Sequence, residues 1–449
     1  MHENKILAAP SSEATSGGST GVIKVTPQIG LLGAVAIGVG GMVGGGIFAV
    51  LGTAVAYAHG GTPVAFLFSG IIALLTAYSY AKLSVTYPSQ GGTVSYIDHA
   101  FGVDLLTGAV NLMLWLSYIV TLALYASAFG SYGATFFTNT PSSWLKHVII
   151  SMGIILPTLI NLFNADIVSK AETFIVVLKI ALLAVVIVAG ARYIDIPRVS
   201  PVNWSDPLSL VAAGMVIFVA YEGFELIANT AQDVKDPERT LPRAFFGSVI
   251  FVVILYILVA LVTVGTVSPD KVAEAKDYVL AVAAEPALGH IGFTLVAVAA
   301  LLATFSAINA TIYGNARLGF SLAKDGELPE FLERKVWARP IYGVILTAGL
   351  SLLLANLVDL TAIAIMGSAG FLIIFAAVNA ANVKLAAETG GNRLIASLGF
   401  LACLGALAVL VYHTAEDNAH ALWIILAMVV VSFLFELVYP RISGRKLRI

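Results

Sequence analysis

Residues 37–48 read IGVGGMVGGGIF, six glycines in twelve positions at the centre of the first long apolar segment. Each glycine inside a helix costs roughly 1 kcal/mol relative to alanine, so a run this dense predicts a break within the segment. Non-helical backbone at membrane depth persists only where it is buried in protein or lines a water-filled cavity, because unpaired peptide groups in hydrocarbon cost several kcal/mol each. The break therefore implies a cavity. The bare amides of Gly44, Gly45 and Gly46 open the second half-helix and form a positive dipole end suited to a carboxylate, while the carbonyls ending the first half suit a cation. That shape predicts a zwitterionic cargo. The competing reading is close helix packing through small residues, which Gly40 and Gly44 permit.

Outward from this stretch, the 449 residues are 59% hydrophobic and 11% charged, with mean hydropathy +0.93. Soluble domains carry roughly 25% charged residues, so the composition indicates a polytopic membrane protein. The formal net charge of −2 supplies no basic surface, and no nucleic-acid partner is expected. The single cysteine, Cys403, excludes a disulfide framework and a cysteine metal site. Residues 1–25 lack a cleaved-signal pattern and read as a disordered cytoplasmic tail.

Runs of about twenty apolar residues predict twelve spans, at 28–56, 62–83, 104–133, 146–163, 171–190, 208–230, 243–267, 290–318, 340–357, 360–381, 394–412 and 419–439. A short loop with Asp166 and Lys170 separates the fourth and fifth, and the charged segment 270–286 reads as an exposed helix. Of the 24 basic residues, 18 fall on one side of such a layout and five on the other. Basic loops favour the cytoplasm, which places both termini inside. Shifting the first five spans by about 180 to 190 residues lands them on the sixth to tenth, and an odd number of spans per unit makes the two units inverted. The expected organisation is 26–192 and 193–385 as five-helix repeats, with 386–449 holding two further helices and a basic tail. The sixth span carries a second break at Tyr221–Phe224, within FVAYEGFE. Paired interruptions in corresponding spans point to a substrate site at the midplane.

Three groups carry the chemistry. Lys179, in AETFIVVLKIALL, lies well inside the fifth span, and an ionisable residue there is a functional candidate by default. Desolvation disfavours a charged ammonium, which would allow proton exchange at physiological pH. Snorkelling to the surface and a permanent ion pair are its alternatives. Glu222 and Glu225 flank the second break, where they would bind a substrate amine, pair with Lys179, relay protons, or cap unwound backbone. The carbonyls of Val219, Ala220 and Glu222, left without helical partners, suit an α-ammonium. Ser306 and Asn309 are polar groups of the eighth span and should face inward, a place where inter-helix hydrogen bonding is the common use. The sequence shows no P-loop, nucleophile elbow or histidine cluster, so neither an ATP-driven pump nor a membrane hydrolase is expected and no cofactor or metal is implied.

GGGIF, PSQGGTVSY, FVAYEGFE, DVKDPERTLPRA and YGNARLGFSLAKDGELP together resemble the amino acid, polyamine and organocation (APC) transporter superfamily over residues 25–340. AETFIVVLKIALL and NATIYGNARLGFSLAKDGELPEFLERKVW look most like its proton-coupled branch of broad amino acid specificity. The resemblance implies an all-α integral membrane protein with a LeuT-type 5+5 inverted repeat, two added C-terminal helices, about twelve spans, and discontinuous spans one and six. It also implies that Lys179 occupies the place of a sodium ion in sodium-coupled relatives, reaching the Gly40 carbonyl and the Ser306 hydroxyl. The coupling ion would then be a proton, with no sodium requirement. Substrate would lie against Val43, Gly44, Gly45, Gly46, Val219, Ala220, Glu222 and Phe224, with Tyr221, Glu225 and Asn309 accessory. The proton-coupled branch has no acids matching Glu222 and Glu225, and GGG replaces a more usual G-S-G or G-A-G. Import of neutral L-amino acids by proton symport, by a monomer in the cell membrane, is the expected function. A pH-independent amino acid or polyamine exchanger with Lys179 as a fixed cation is the alternative, and a channel or substrate sensor is the alternative from another class.

Overall fold

The computed structural model describes residues 28–137, 143–163, 166–334, 340–417 and 419–444. The tail expected at 1–25, Lys335, Arg339, Arg445, Lys446 and Arg448 lie outside the described residues, as do the side chains of 163–173. The first apolar segment forms α1 (Leu31–Met42) and α2 (Gly46–Ala58), bent by 48° across Val43–Gly45. Gly40 and Gly41 stay helical, so the break is narrower than the glycine run.

The chain continues through α3 (Thr62–Thr86), α4 (Thr93–Phe101), α5 (Leu105–Ala134), α6 (Ser143–Phe163) and α7 (Asp166–Gly190). α4 is only nine residues long and lies in the PSQGGTVSY connection. α5 starts at a capping box in which the Asp104 carboxylate accepts from the amides of Leu106 and Thr107. Asp166 and Lys170 belong to α7 and not to a loop, because the helix extends beyond its apolar run.

A short α8 (Ile196–Val199) leads to α9 (Pro207–Val216), which starts at an Asp206 cap. The sixth span then changes character. Residues 218–221 and 224–233 wind as tight 3₁₀ turns on either side of extended Glu222 and left-handed Gly223 (φ +116°), and the span bends by 51°. The remaining elements are α10 (Pro237–Thr266), α11 (Pro269–Glu274), α12 (Val279–Asp325, kinked at Gly289), α13 (Ile341–Leu357), α14 (Leu360–Lys384), α15 (Ala386–Thr389), α16 (Arg393–Asp417) and α17 (Ala419–Ser443). Nine helices among the described residues are long and apolar enough to cross a membrane, eleven with each bent pair counted as one span, and α13 is a further, shorter apolar helix.

The segment 270–286 is helical but not exposed. Val272, Ala275, Leu280, Ala281 and Ala284 are buried, and Gly52 of α2 has no side chain to keep the Lys276 carbonyl away. Asp270, Lys271 and Glu274 are exposed, while Asp277 pairs with Lys146 at 2.6 Å and Lys276 donates to Thr361 at 3.0 Å.

The two bent spans run antiparallel and are laced at both ends. Lys235 N–H donates to Ile29 O at one end, where Gln28 and Ile29 donate to Asp233 O, and Gly60 donates to Asn203 O at the other. Around them α3, α5, α10, α12 and α14 bury an aromatic core in which Tyr80 meets Phe224 edge-on at 5.5 Å and Phe375 at 5.8 Å. Such pairs add about 0.5 to 1.5 kcal/mol each beyond the area they bury. Exposed Leu, Ile, Val and Phe side chains line the outer helices α6, α7, α16 and α17, the surface a hydrocarbon solvent requires.

Candidate functional site

The breaks meet backbone to backbone. A Cβ built on Gly41 would lie 2.7 Å from Gly223 O and 2.9 Å from Gly223 Cα, and one on Gly46 would lie 2.9 Å from Ala220 Cα. Two of the six glycines, Gly41 and Gly46, therefore serve close approach of the two bent spans, whereas Gly40 and Gly44, the pair read as a packing motif, lie against Val176 and Ala307.

Gly44 N–H turns back onto Gly41 O at 3.2 Å, whereas no backbone acceptor is found for Gly45 and Gly46 among the described residues. Those two amides open α2 and are the free donors an anion needs. The space beside them, read as a cavity from sequence, is occupied in this conformation. The Tyr125 ring of α5 lies against Gly45, and Thr304 and Ala307 of α12 close the remaining side. The side chains missing from GGG are replaced by a tyrosine.

Carbonyls released by the breaks have specific partners. Tyr256 of α10 donates to Met42 O at 2.6 Å and shares its proton with Ala220 O at 3.2 Å. One hydroxyl thus bridges both bent spans. Ser368 of α14 accepts from Val219 N–H at 2.9 Å and donates to Val216 O at 2.8 Å, replacing the ladder bonds lost where α9 ends. Tyr221 is anchored through its hydroxyl to Phe66 O at 2.8 Å.

The two acids divide their work. Glu225 Oε2 accepts from Gly223 N–H at 2.7 Å and Oε1 from Tyr118 at 3.2 Å, so it caps the unwound backbone. Glu222 Oε2 accepts from Tyr125 at 3.0 Å, through the same ring that covers Gly45. Both carboxyls are buried, 4% and 1% exposed for Glu222 and Glu225. Phe224, placed beside substrate by the resemblance, points its ring into the aromatic core with Tyr80, Phe245 and Phe375.

Lys179 sits at the middle of α7, 4% exposed, and its Nζ donates to Gly40 O at 2.9 Å. It holds the last full turn of α1 before the break. A buried side chain so engaged is not snorkelling. Ser306 is half-buried on α12, which lies along α7. Asn309 is tied to α6, where Asn161 Nδ2 donates to its side chain at 2.7 Å and its carbonyl at 3.2 Å, an inter-helix brace.

Tyr125, Tyr256, Tyr118 and Ser368 were not distinguished from sequence. Each is a polar group within an apolar span, and the signal available is that its hydroxyl must find a partner out of water. The arrangement presents free amides at the start of α2 with Ala220 against Gly46, carbonyls of Val219 and Ala220 that accept from Glu222 N–H and the Tyr256 hydroxyl, two buried carboxyls, and the Lys179 amine behind the first break. Among the described residues no group of three His, Cys, Asp or Glu side chains is arranged to hold a metal.

A family profile described as amino acid permease matches residues 29–442. An uncharacterized protein of Methanocaldococcus jannaschii is 36% identical over 423 residues, covering 93% of this chain and 96% of that one. The inner membrane transport protein YbaT of Escherichia coli is 33% identical over 416 residues, with 92% and 96% covered. The serine/threonine exchanger SteT of Bacillus subtilis is 27% identical over 321 residues, with 70% and 72% covered.

Proposed function

Because the chain belongs to the amino acid permease family of the APC superfamily, whose members are transporters and not enzymes, we propose that it imports neutral L-amino acids by proton symport and alternating access. The observation that carries this reading is the buried Lys179 ammonium on the Gly40 carbonyl at 2.9 Å, directly behind the first break. Loss of its proton discharges the ammonium and weakens the charge-assisted bond that holds α1 against α7, and the first half of span one is released to swing. Protonation and closure are then one event, and no sodium ion is needed in that position.

In this reading the substrate carboxylate takes the amides of Gly45 and Gly46, displacing the Tyr125 ring, and the ammonium takes the second lone pairs of Val219 O and Ala220 O. Glu222, tied to Tyr125, senses that displacement. The antiparallel pairing of the two bent spans supports a 5+5 inverted repeat about this site, and the distribution of basic residues supports cytoplasmic termini in the cell membrane. A proton entering down 100 mV gains about 2.3 kcal/mol, enough for roughly 50-fold accumulation at one proton per substrate.

The competing reading is a pH-independent exchanger in which Lys179 never titrates, favoured by the similarity to a serine/threonine exchanger. Uptake of labelled alanine into proteoliposomes with and without an inward pH gradient separates the two. Stimulation by the gradient in the wild type and its loss in Lys179→Ala is the expected result. Equal uptake with and without the gradient, or an unchanged gradient response in Lys179→Ala, refutes proton coupling through this residue.

A further inference from the structure

Where α4, α5, the turn after α12 and α17 meet, two carboxyl groups converge on one amide and a third lies one turn away, far in sequence from both breaks. Asn111 Nδ2 of α5 donates to Asp98 Oδ1 of α4 at 3.2 Å and to Glu327 Oε1 at 3.1 Å. One turn earlier in α5, Gly108 makes room for the Glu436 carboxyl, since a Cβ there would lie 2.4 Å from its Cδ. Glu327 and Glu436 are 3% and 4% exposed. No lysine or arginine is paired with Asp98, Glu327 or Glu436 among the described residues.

The cluster is short of hydrogens. Asn111 Oδ1, Glu327 Oε2 and Glu436 Oε2 are all buried acceptors without a partner, and leaving such atoms bare costs their full desolvation. Carboxyl groups with no counter-cation satisfy one another only by binding protons. A proton on Glu327 Oε2 turns one bare acceptor into a donor beside the amide that already serves the other oxygen of the same carboxyl. A metal ion is a poor occupant, because no group of three His, Cys, Asp or Glu side chains among the described residues is arranged to hold one.

We propose that Asp98, Asn111, Glu327 and Glu436 form a second proton-binding site, separate from Lys179, in which protonated Glu327 latches α4 and α17 to α5. The surroundings agree. Burial, then the charge of Asp98, with Glu436 and Asp325 adding to them against the Asn111 hydrogen bond, push Glu327 up to about 8. Burial, with Asp325 adding to it and Asn111 and His99 opposing, pushes Asp98 up to about 6. Of the nearby basic side chains, the His99 ring bonds to Ser95 O and lies tilted against Tyr87, and Lys384 lies over the Phe101 ring. From α17, Tyr439 donates to Leu328 O at 3.2 Å and closes the turn that carries Glu327.

The latch has a route to the second break. The turn leading into α4 rests on residues 224–233, with Gly92 (φ +44°) against Asn229 and Gln232 Nε2 donating to Pro88 O at 3.0 Å. Deprotonating Glu327 places like charges within the cluster, loosens α4, and removes a support from the second half of span six.

Infrared difference spectroscopy on the purified full chain, titrated from pH 6 to pH 10, tests the site without relying on transport. The expected result is a protonated-carboxyl band that disappears with a midpoint near pH 8 and is absent in Glu327→Gln. Glu436→Gln, which removes a like charge and keeps Glu327, should move that midpoint down. Hydrogen exchange, corrected for intrinsic rates, should show residues 93–101 and 224–233 losing protection above the midpoint in the wild type and keeping it in Glu327→Gln. The same band in Glu327→Gln, an unmoved midpoint in Glu436→Gln, or equal loss of protection in wild type and Glu327→Gln would each overturn the proposal.

Discussion

Adding a single methyl group where the bent spans touch, as Gly41→Ala, is the sharpest probe of the site. The new Cβ would lie 2.7 Å from Gly223 O, 2.9 Å from Gly223 Cα and 3.0 Å from Gly223 C. All three are backbone atoms, so no side chain can rotate away. Reaching ordinary contact requires the breaks to separate by about 0.7 Å at the closest atom, and overpacking of this kind costs typically 1 to 3 kcal/mol. The displacement falls on atoms that set the site, because the Tyr256 hydroxyl spans Met42 O and Ala220 O only while the two backbones hold this spacing. The expected outcome is a lower melting temperature in detergent and uptake reduced at least tenfold in proteoliposomes. Gly314→Ala is the control, since nothing lies within 4 Å of its added Cβ. Gly223→Ala should be worse than Gly41→Ala, because it combines contacts down to 2.4 Å with a φ of +116°, a conformation that costs an alanine roughly a further 1 to 2 kcal/mol. Gly41→Ala with wild-type melting and uptake would show that the breaks do not meet at these residues.

Two further outcomes follow from the geometry. Tyr256→Phe removes the donor shared by Met42 O and Ala220 O, a loss of about 1 kcal/mol for a neutral hydrogen bond. It should raise the KM for substrate severalfold with the protein still folded, and an unchanged KM together with an unchanged melting temperature would show the hydroxyl to be idle. Glu327 also makes stability depend on pH. Its carboxyl is raised from 4.5 to about 8 in the fold, so between those values the folded chain holds a proton that the unfolded chain has lost, and stability falls as pH rises through this window. The wild type should lose stability relative to Glu327→Gln by at most about 1.4 kcal/mol per pH unit there, measured by thermal melting across the range. A difference that stays flat or grows with pH contradicts the assignment.

The class of molecule and the position of both interruptions are properties of local sequence. Apolar runs long enough to span a bilayer, six glycines within twelve residues and YEGF in the sixth span each act on their own backbone, so they can be read without knowing any neighbour. The extent of the first break is different. Gly40 and Gly41 remain in α1 because Lys179 and the Gly223 backbone seat them there.

What only the tertiary structure decided is which faces meet. Helices that are apolar all round have no polar stripe from which an orientation can be inferred, and α14, with Leu360–Lys384 almost wholly buried, is one of these. For that reason nothing in the sequence singled out Ser368 as the group that repairs span six, or Tyr256 as the bridge between the two breaks. Nor did it show that the Phe224 ring packs against Tyr80 and Phe375. The carboxyls at positions 98, 327 and 436 look like ordinary surface charges one at a time. Packing takes Glu327 and Glu436 out of water and ties Asp98 and Glu327 to a single asparagine, and burial is a property of the assembled helices that no one segment possesses.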